Sequence, residues 1–165
     1  MDVEVTLAFS FFIIFVLVII TVFLVADIVK ILMEAHPELS MTVDPSNTTA
    51  VHTAALQGHT EIVKLLLEAG SNLATIARSN GKTALHSAAR NGHLEVVKAL
   101  LGKEPVVATR TDKKGQTALH MAVKGQSLEV VEELIKADPS TINMVDNKGN
   151  TALHIATRKG RAQVN

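Results

Sequence analysis

Gly81-Lys-Thr-Ala-Leu-His-Ser-Ala-Ala-Arg-Asn-Gly-His-Leu-Glu-Val-Val-Lys-Ala-Leu-Leu101 carries one complete folding unit. Thr83 is a good helix N-cap, because its hydroxyl can accept from the free backbone N–H groups of the next turn. Leu85, Ala88 and Ala89 follow at helical spacing, and the small alanines let a neighbouring helix approach closely. Gly92 supplies the positive φ that stops a short helix. A second apolar pattern then runs through Leu94, Val97, Leu100 and Leu101, with Glu95 and Lys98 paired on the other face. The stretch predicts helix, tight turn, helix.

Its centre recurs as Thr49–His52, Thr83–His86, Thr117–His120 and Thr151–His154, at a step of 34 residues each time. A fixed period of this length marks stacked repeats, in which each unit buries its apolar face only against its neighbours. Turn-forming residues precede each copy: Asp112-Lys-Lys-Gly115 and Asp146-Asn-Lys-Gly149, with Asp44–Asn47 and Arg78–Gly81 at the equivalent positions. Asn47 can stand for glycine because asparagine also tolerates the left-handed region. A short hairpin-like loop between helix pairs is the expectation.

The same ruler reaches both ends. Asp27-Ile-Val-Lys-Ile-Leu-Met-Glu-Ala35 aligns with Glu61-Ile-Val-Lys-Leu-Leu-Leu-Glu-Ala69, so residues 27–36 are expected to be the second helix of an earlier unit. The first helix of that unit would occupy about 15–26. Asn165 falls early in the expected second helix of the last unit, and helix 151–157, lacking that partner, is expected to fray. The expected division is a hydrophobic segment over 1–26, then repeats over 27–165: a half unit 27–44, three full units over about 45–146, and a truncated unit 147–165. A chain divided this way is expected to be a piece of a longer array.

These residues resemble the ankyrin repeat, whose signature is a Gly-x-Thr-x-Leu-His turn followed by two antiparallel helices. The resemblance covers about residues 27–165 and implies an all-α helical solenoid of 34-residue units, here preceded by one hydrophobic helix. Alanine stands where many ankyrin repeats have proline, and Lys124-Gly125-Gln126-Ser127 brings the turn glycine one position early without the Gly-His pair. At finer grain, Ser79–His93 and Thr111–Gly125 resemble the plant ankyrin proteins that end in a four-span hydrophobic domain, the PGG class. That resemblance implies membrane attachment and a role in salt-stress, reactive-oxygen or defence signalling; the class's membrane domain would lie beyond Asn165.

Sixteen basic and sixteen acidic side chains balance, so nucleic acid is not an expected partner. Cysteine is absent, which excludes disulfides, cysteine-based zinc sites and thiol catalysis. All five phenylalanines lie in the first 23 residues and there is no Tyr or Trp, so the repeats have a wholly aliphatic core. From Val5 to Ala26 the chain carries no charge, proline or glycine. As a helix that run would be roughly 33 Å long, enough to cross a hydrocarbon core of about 30 Å. Two origins fit it: a membrane span fused directly to the stack, or the product of a misjudged coding boundary.

Histidine recurs once per unit, but helices of successive units sit about 8–10 Å apart, so these rings converge poorly on one metal ion. The ankyrin resemblance instead implies that Thr49, His52, Thr83, His86, Thr117, His120, Thr151 and His154 brace the turns. His59 and His93 are read the same way. No nucleophile–base pair, phosphate-cradling loop or paired-carboxylate constellation stands out, so neither an enzyme nor a cofactor is expected.

Charge on the links is more informative. Arg78, Lys82, Arg110, Lys113, Lys114 and Lys148 stand there against Asp112 and Asp146, about four net positive charges along one edge. Ankyrin proteins bind partners with these tips and the inner helix face, which the resemblance places at Gln57, Ser87, Arg90, Met121 and Lys124. The expected partner-binding set is therefore Arg78, Lys82, Arg90, Arg110, Lys113, Lys114, Met121 and Lys148, reading an acidic protein segment. The expected function is a protein-interaction scaffold tethered by residues 5–26 to a membrane, the plasma membrane, with its repeats in the cytosol. A regulator or subunit of a transport or channel system, and a truncated fragment without function, are the alternatives.

Overall fold

The computed structural model describes residues 24–70 and 72–164. Eight helices and no strand are found among them: α1 (24–35), α2 (Ala50–Gln57), α3 (Thr60–Ala69), α4 (Ala84–Asn91), α5 (Leu94–Lys103), α6 (Ala118–Gly125), α7 (Leu128–Ala137) and α8 (Ala152–Val164). The even-numbered helices α2, α4, α6 and α8 pack on one another in an inner row, and α3, α5 and α7 form an outer row. Within the three complete units the two helices also pack together, as α2 with α3, α4 with α5 and α6 with α7, so each of these six lies against helices on at least two sides.

The threonine of each copy starts an inner helix. Thr49, Thr83 and Thr117 are extended N-caps, and the histidine three residues on reaches back: the backbone N–H of each threonine donates to the imidazole Nδ1 of His52, His86 or His120 at 3.2 Å. The short helix stops at Gly58 and Gly92, both left-handed at φ 79° and 76°. In the third unit Gln126 takes that position at φ 64°. Gly125 is needed for another reason: a Cβ there would overlap the Arg90 carbonyl oxygen, because α6 crosses so close to α4.

Between units the chain makes a 3-10 turn and then a narrow finger. The turns are Pro37–Met41, Leu73–Thr75, Pro105–Thr109 and Pro139–Asn143. The fingers close by backbone bonds from Asp44 to Thr48, Arg78 to Lys82, Asp112 to Gln116 and Asp146 to Asn150, at 2.9–3.1 Å. Each finger also takes a bond from the next one: Ser79 N–H to Ser46 O (2.8 Å), Lys113 N–H to Asn80 O (3.0 Å) and Asn147 N–H to Lys114 O (2.9 Å). The left-handed residue of each tip is Asn47 (φ 58°), Gly81, Gly115 or Gly149.

The core is one continuous aliphatic cluster running from Val51 through Leu85, Leu100 and Leu119 to Leu134 and Ala152. Val29 and Met33 of α1 lean against it. Deleting a fully buried leucine such as Leu100 from such a core costs roughly 2–5 kcal/mol.

The two ends depart from the expected pattern. Residues 24–26, the last of the apolar run, are helical and continuous with 27–35, because Leu24-Val25 offers no left-handed residue where Gly58-His59 breaks the next unit. The remainder of the membrane-span expectation, residues 5–23, lies outside the described residues. Among those described, no helix is long and apolar enough to cross a membrane. At the other end α8 runs on to Val164 instead of stopping near 157. Continuing the helix keeps its backbone N–H and C=O groups paired through these residues.

Candidate functional site

Basic side chains recur on the inner row at the same 34-residue step. Arg90, Lys124 and Arg158 are each the seventh residue of α4, α6 and α8. The finger tips add a second row, Asn80, Lys114 and Lys148, also in register. Between the rows lie two adjoining clefts. The first, of about 550 Å³, is lined by Lys82, Arg90, Lys113, Lys114, Gln116 and Lys124, together with Asn80, Asp112 and Met121. The second, of about 410 Å³, shares Lys113, Lys114, Gln116 and Lys124 and continues to Asp146, Asn147, Lys148 and Arg158.

Seven cations and two carboxylates therefore face one groove. Both carboxylates are already engaged by the chain. Asp112 Oδ1 accepts from the backbone N–H of Lys114 (2.8 Å) and Gln116 (3.0 Å). Asp146 Oδ1 accepts from the N–H of Lys148 and Asn150, both at 2.9 Å, and its Oδ2 takes the Gln116 side-chain amide at 3.2 Å. The Asn150 backbone bond chiefly, with the other donors, holds the Asp146 carboxyl far below the usual carboxylate range. Among the described residues no groove cation forms an ion pair with a carboxylate; the Lys–Glu pairs, Lys64–Glu61 and Lys98–Glu95, sit on the outer helices.

Lys124 is the most constrained of the cations. Its ammonium donates to Gln116 Oε1 along the groove floor, and its backbone carbonyl accepts from Lys159. Burial lowers its pKa, and Arg90 adds to that, while Asp112 and Asp146 oppose it. A negative partner group near Lys124 would relieve that repulsion.

A family model described as ankyrin repeats (three copies) matches residues 23–110 and 103–164. The chain belongs to the ankyrin-repeat family. A search of curated proteins finds no match. Ankyrin repeats bind other proteins, and domains built from them are typically non-enzymatic interaction modules.

On this ankyrin stack the expected partner-binding residues separate into two groups. Lys82, Arg90, Lys113, Lys114 and Met121 line the first cleft and Lys148 the second. Arg78 and Arg110 line neither. Arg78 is drawn into the links, its Nε donating to Thr48 Oγ1 at 3.0 Å, and Arg110 is exposed where the Pro105–Thr109 turn ends. Arg158, Asn80, Gln116 and Asn147 were not singled out from the sequence. Adding the repeat step twice to Arg90 would have reached Arg158.

The threonine–histidine pairs lie behind the groove. With Nδ1 accepting from the threonine N–H, the ring proton sits on Nε2. His86 Nε2 donates to Gln116 O at 2.9 Å and His120 Nε2 to Asn150 O at 3.0 Å, so each ring ties its helix to the next finger. His52 Nε2 is buried with no hydrogen-bond partner among the described residues, and His154, at the last copy, is exposed. Burial pushes His52 and His86 below the ordinary imidazole value, consistent with neutral rings. His93 Nε2 meets Leu56 O at 3.1 Å. Among the described residues no group of three or more His, Asp or Glu could hold a metal ion.

Proposed function

We propose that this ankyrin stack docks an acidic segment of another protein in the groove between its inner helices and finger tips. The observation that carries this reading is the excess of cations there, with the two lining carboxylates, Asp112 and Asp146, occupied by backbone donors. Such a surface speeds encounter with an acidic partner and makes the complex sensitive to salt. Anisotropy titration of acidic, neutral and basic peptides of equal length tests it. The acidic peptide should bind best and weaken as salt rises. Lys113→Glu with Lys114→Glu should cost about tenfold or more in affinity; affinity unchanged by this double reversal overturns the reading.

The same proposal places the module on a membrane through the apolar run 5–26, with the repeats in the cytosol and the plasma membrane as the site. The support is the length of that run and its freedom from charge, proline and glycine. A scaffold in stress or defence signalling is the matching role, supported by the resemblance to the plant PGG class. Carbonate extraction of the expressed chain tests the tether: release into the aqueous fraction sinks it.

A further inference from the structure

Resting on the acidic-segment reading, the register of the groove fixes how the acidic groups should be spaced. Arg90, Lys124 and Arg158 advance by one repeat at a time, and Lys114 and Lys148 follow the same step on the opposite wall. The pitch of that step can be reached twice. Packed helices stand about 8–10 Å apart. Each unit also contributes a narrow finger of two chain legs that bonds through its backbone to the one before, as Lys113 does to Asn80 and Asn147 to Lys114. Chain segments joined side by side by backbone hydrogen bonds stand about 4.7–4.9 Å apart, so two legs give about 9.5 Å per unit.

A ligand that meets every unit alike must repeat at that distance with its charges on one side. A flat β-strand does not, because its same-side residues recur at about 6.7 Å and 13 Å. An α-helix recurs after seven residues at about 10.5 Å, but helices dock through an apolar stripe into an apolar groove, and among the described residues Met121 is the single apolar side chain lining these clefts. The polyproline-II helix has three residues per turn and rises about 3.1 Å per residue, so every third residue returns to the same side after about 9.3 Å. That matches the pitch over successive units.

We propose that the groove binds an extended, polyproline-II segment of a partner protein bearing an acidic residue at every third position, one per ankyrin unit. The first acid meets Arg90 beside Asn80, where Lys82 two residues on supplies the second cation; the second meets Lys124 and Lys114, and the third Arg158 and Lys148. Lys124 lines both clefts and is the central contact, which the Gln116 amide steadies from below.

The test uses the full chain in non-ionic detergent and fluorescein-labelled peptides of identical composition, three glutamates among prolines and serines. One peptide carries the glutamates at every third position; the others carry them adjacent, at every second or at every fourth position. The threefold peptide should bind about tenfold tighter than the rest. Lys124→Ala, checked for folding by circular dichroism, should erase that preference, whereas Lys64→Ala on the outer helix α3 should leave it intact. Equal affinity for all four acidic peptides overturns the spacing while leaving the acidic-segment reading in place. Binding of none of them overturns both. Tighter binding by a helical peptide with glutamates seven apart overturns the extended conformation.

Discussion

The boundary between the units that start at Thr49 and Thr83 uses the same register positions as the boundary between Thr83 and Thr117, yet the two are built differently. At the second, Asp112 clamps the N–H groups of Lys114 and Gln116, the Gln116 carbonyl takes the His86 ring, and Gly125 brings α6 directly onto the Arg90 carbonyl. At the first, Arg78 replaces the aspartate and Asn80 Oδ1 caps only the Lys82 N–H, at 3.0 Å. The Lys82 carbonyl lies near enough to the His52 ring to oppose the burial-driven shift, but His52 Nε2 makes no hydrogen bond among the described residues. Asn91 fills the place of Gly125 and its side chain spans to Leu56 O at 2.9 Å. A carboxylate in the finger thus does more than close a turn: it aims the carbonyl that receives the histidine of the preceding unit.

Acid should break this arrangement most broadly. His52 and His86 bind protons less readily folded than unfolded, where the value is 6.5, so stability is full above pH 6.5 and declines as pH falls below it. Asp44, Asp138 and Asp146 are likewise depressed from 3.8, so a second loss begins as pH falls below 3.8. Urea midpoints between pH 8 and pH 3 should fall in two stages; a flat profile down to pH 4 contradicts neutral buried rings.

Gly125→Ala should cost about 3 kcal/mol by forcing α6 off α4, measurable as a lower urea midpoint. Asn91→Ala at the first boundary should cost only about 1 kcal/mol. His86→Ala should cost about 2 kcal/mol, since it strands the Thr83 N–H and the Gln116 carbonyl together. His52→Ala should cost about half as much, having one bonded partner fewer, and equal losses at the two sites would erase the contrast. Asp112→Ala is expected to cost about 1.5 kcal/mol. The smallest effect is a gain: Arg78→Asp should stabilise by about 0.5 kcal/mol and restore the clamp, detectable as slower exchange of the Lys82 amide.

Most of the stack could be read from Thr49, Thr83, Thr117 and Thr151, because a strict period carries local capping and long-range neighbours in one signal. The 3-10 turns were less apparent, although Pro37, Pro105 and Pro139 stand at multiples of the step. Gly125 looked like a displaced turn residue, since its cause, the Arg90 carbonyl, is on another helix and leaves no local trace. The last helix, read as 151–157, runs on through Gly160 to Val164, because a glycine permits a left-handed cap without compelling one. In the groove, loop charges counted together gave the sign of the surface. Arg78 and Arg110 belong to that count but line neither cleft, and only position-by-position comparison separates them from the row of Arg90, Lys124 and Arg158.

The bridges from His86 to Gln116 and from His120 to Asn150 join each helix pair to the finger that follows it, and the strong helix contacts likewise run between adjacent units. Contacts that short in sequence demand little loop closure, so the chain has a low contact order and should fold fast for its length. Assembly should nucleate around α4 and α6, where every bridge is complete, and spread outward to α2 and α8. During synthesis the N-terminal helices would then wait for the Thr83 and Thr117 units before becoming firm, leaving their apolar faces open to a chaperone in that interval.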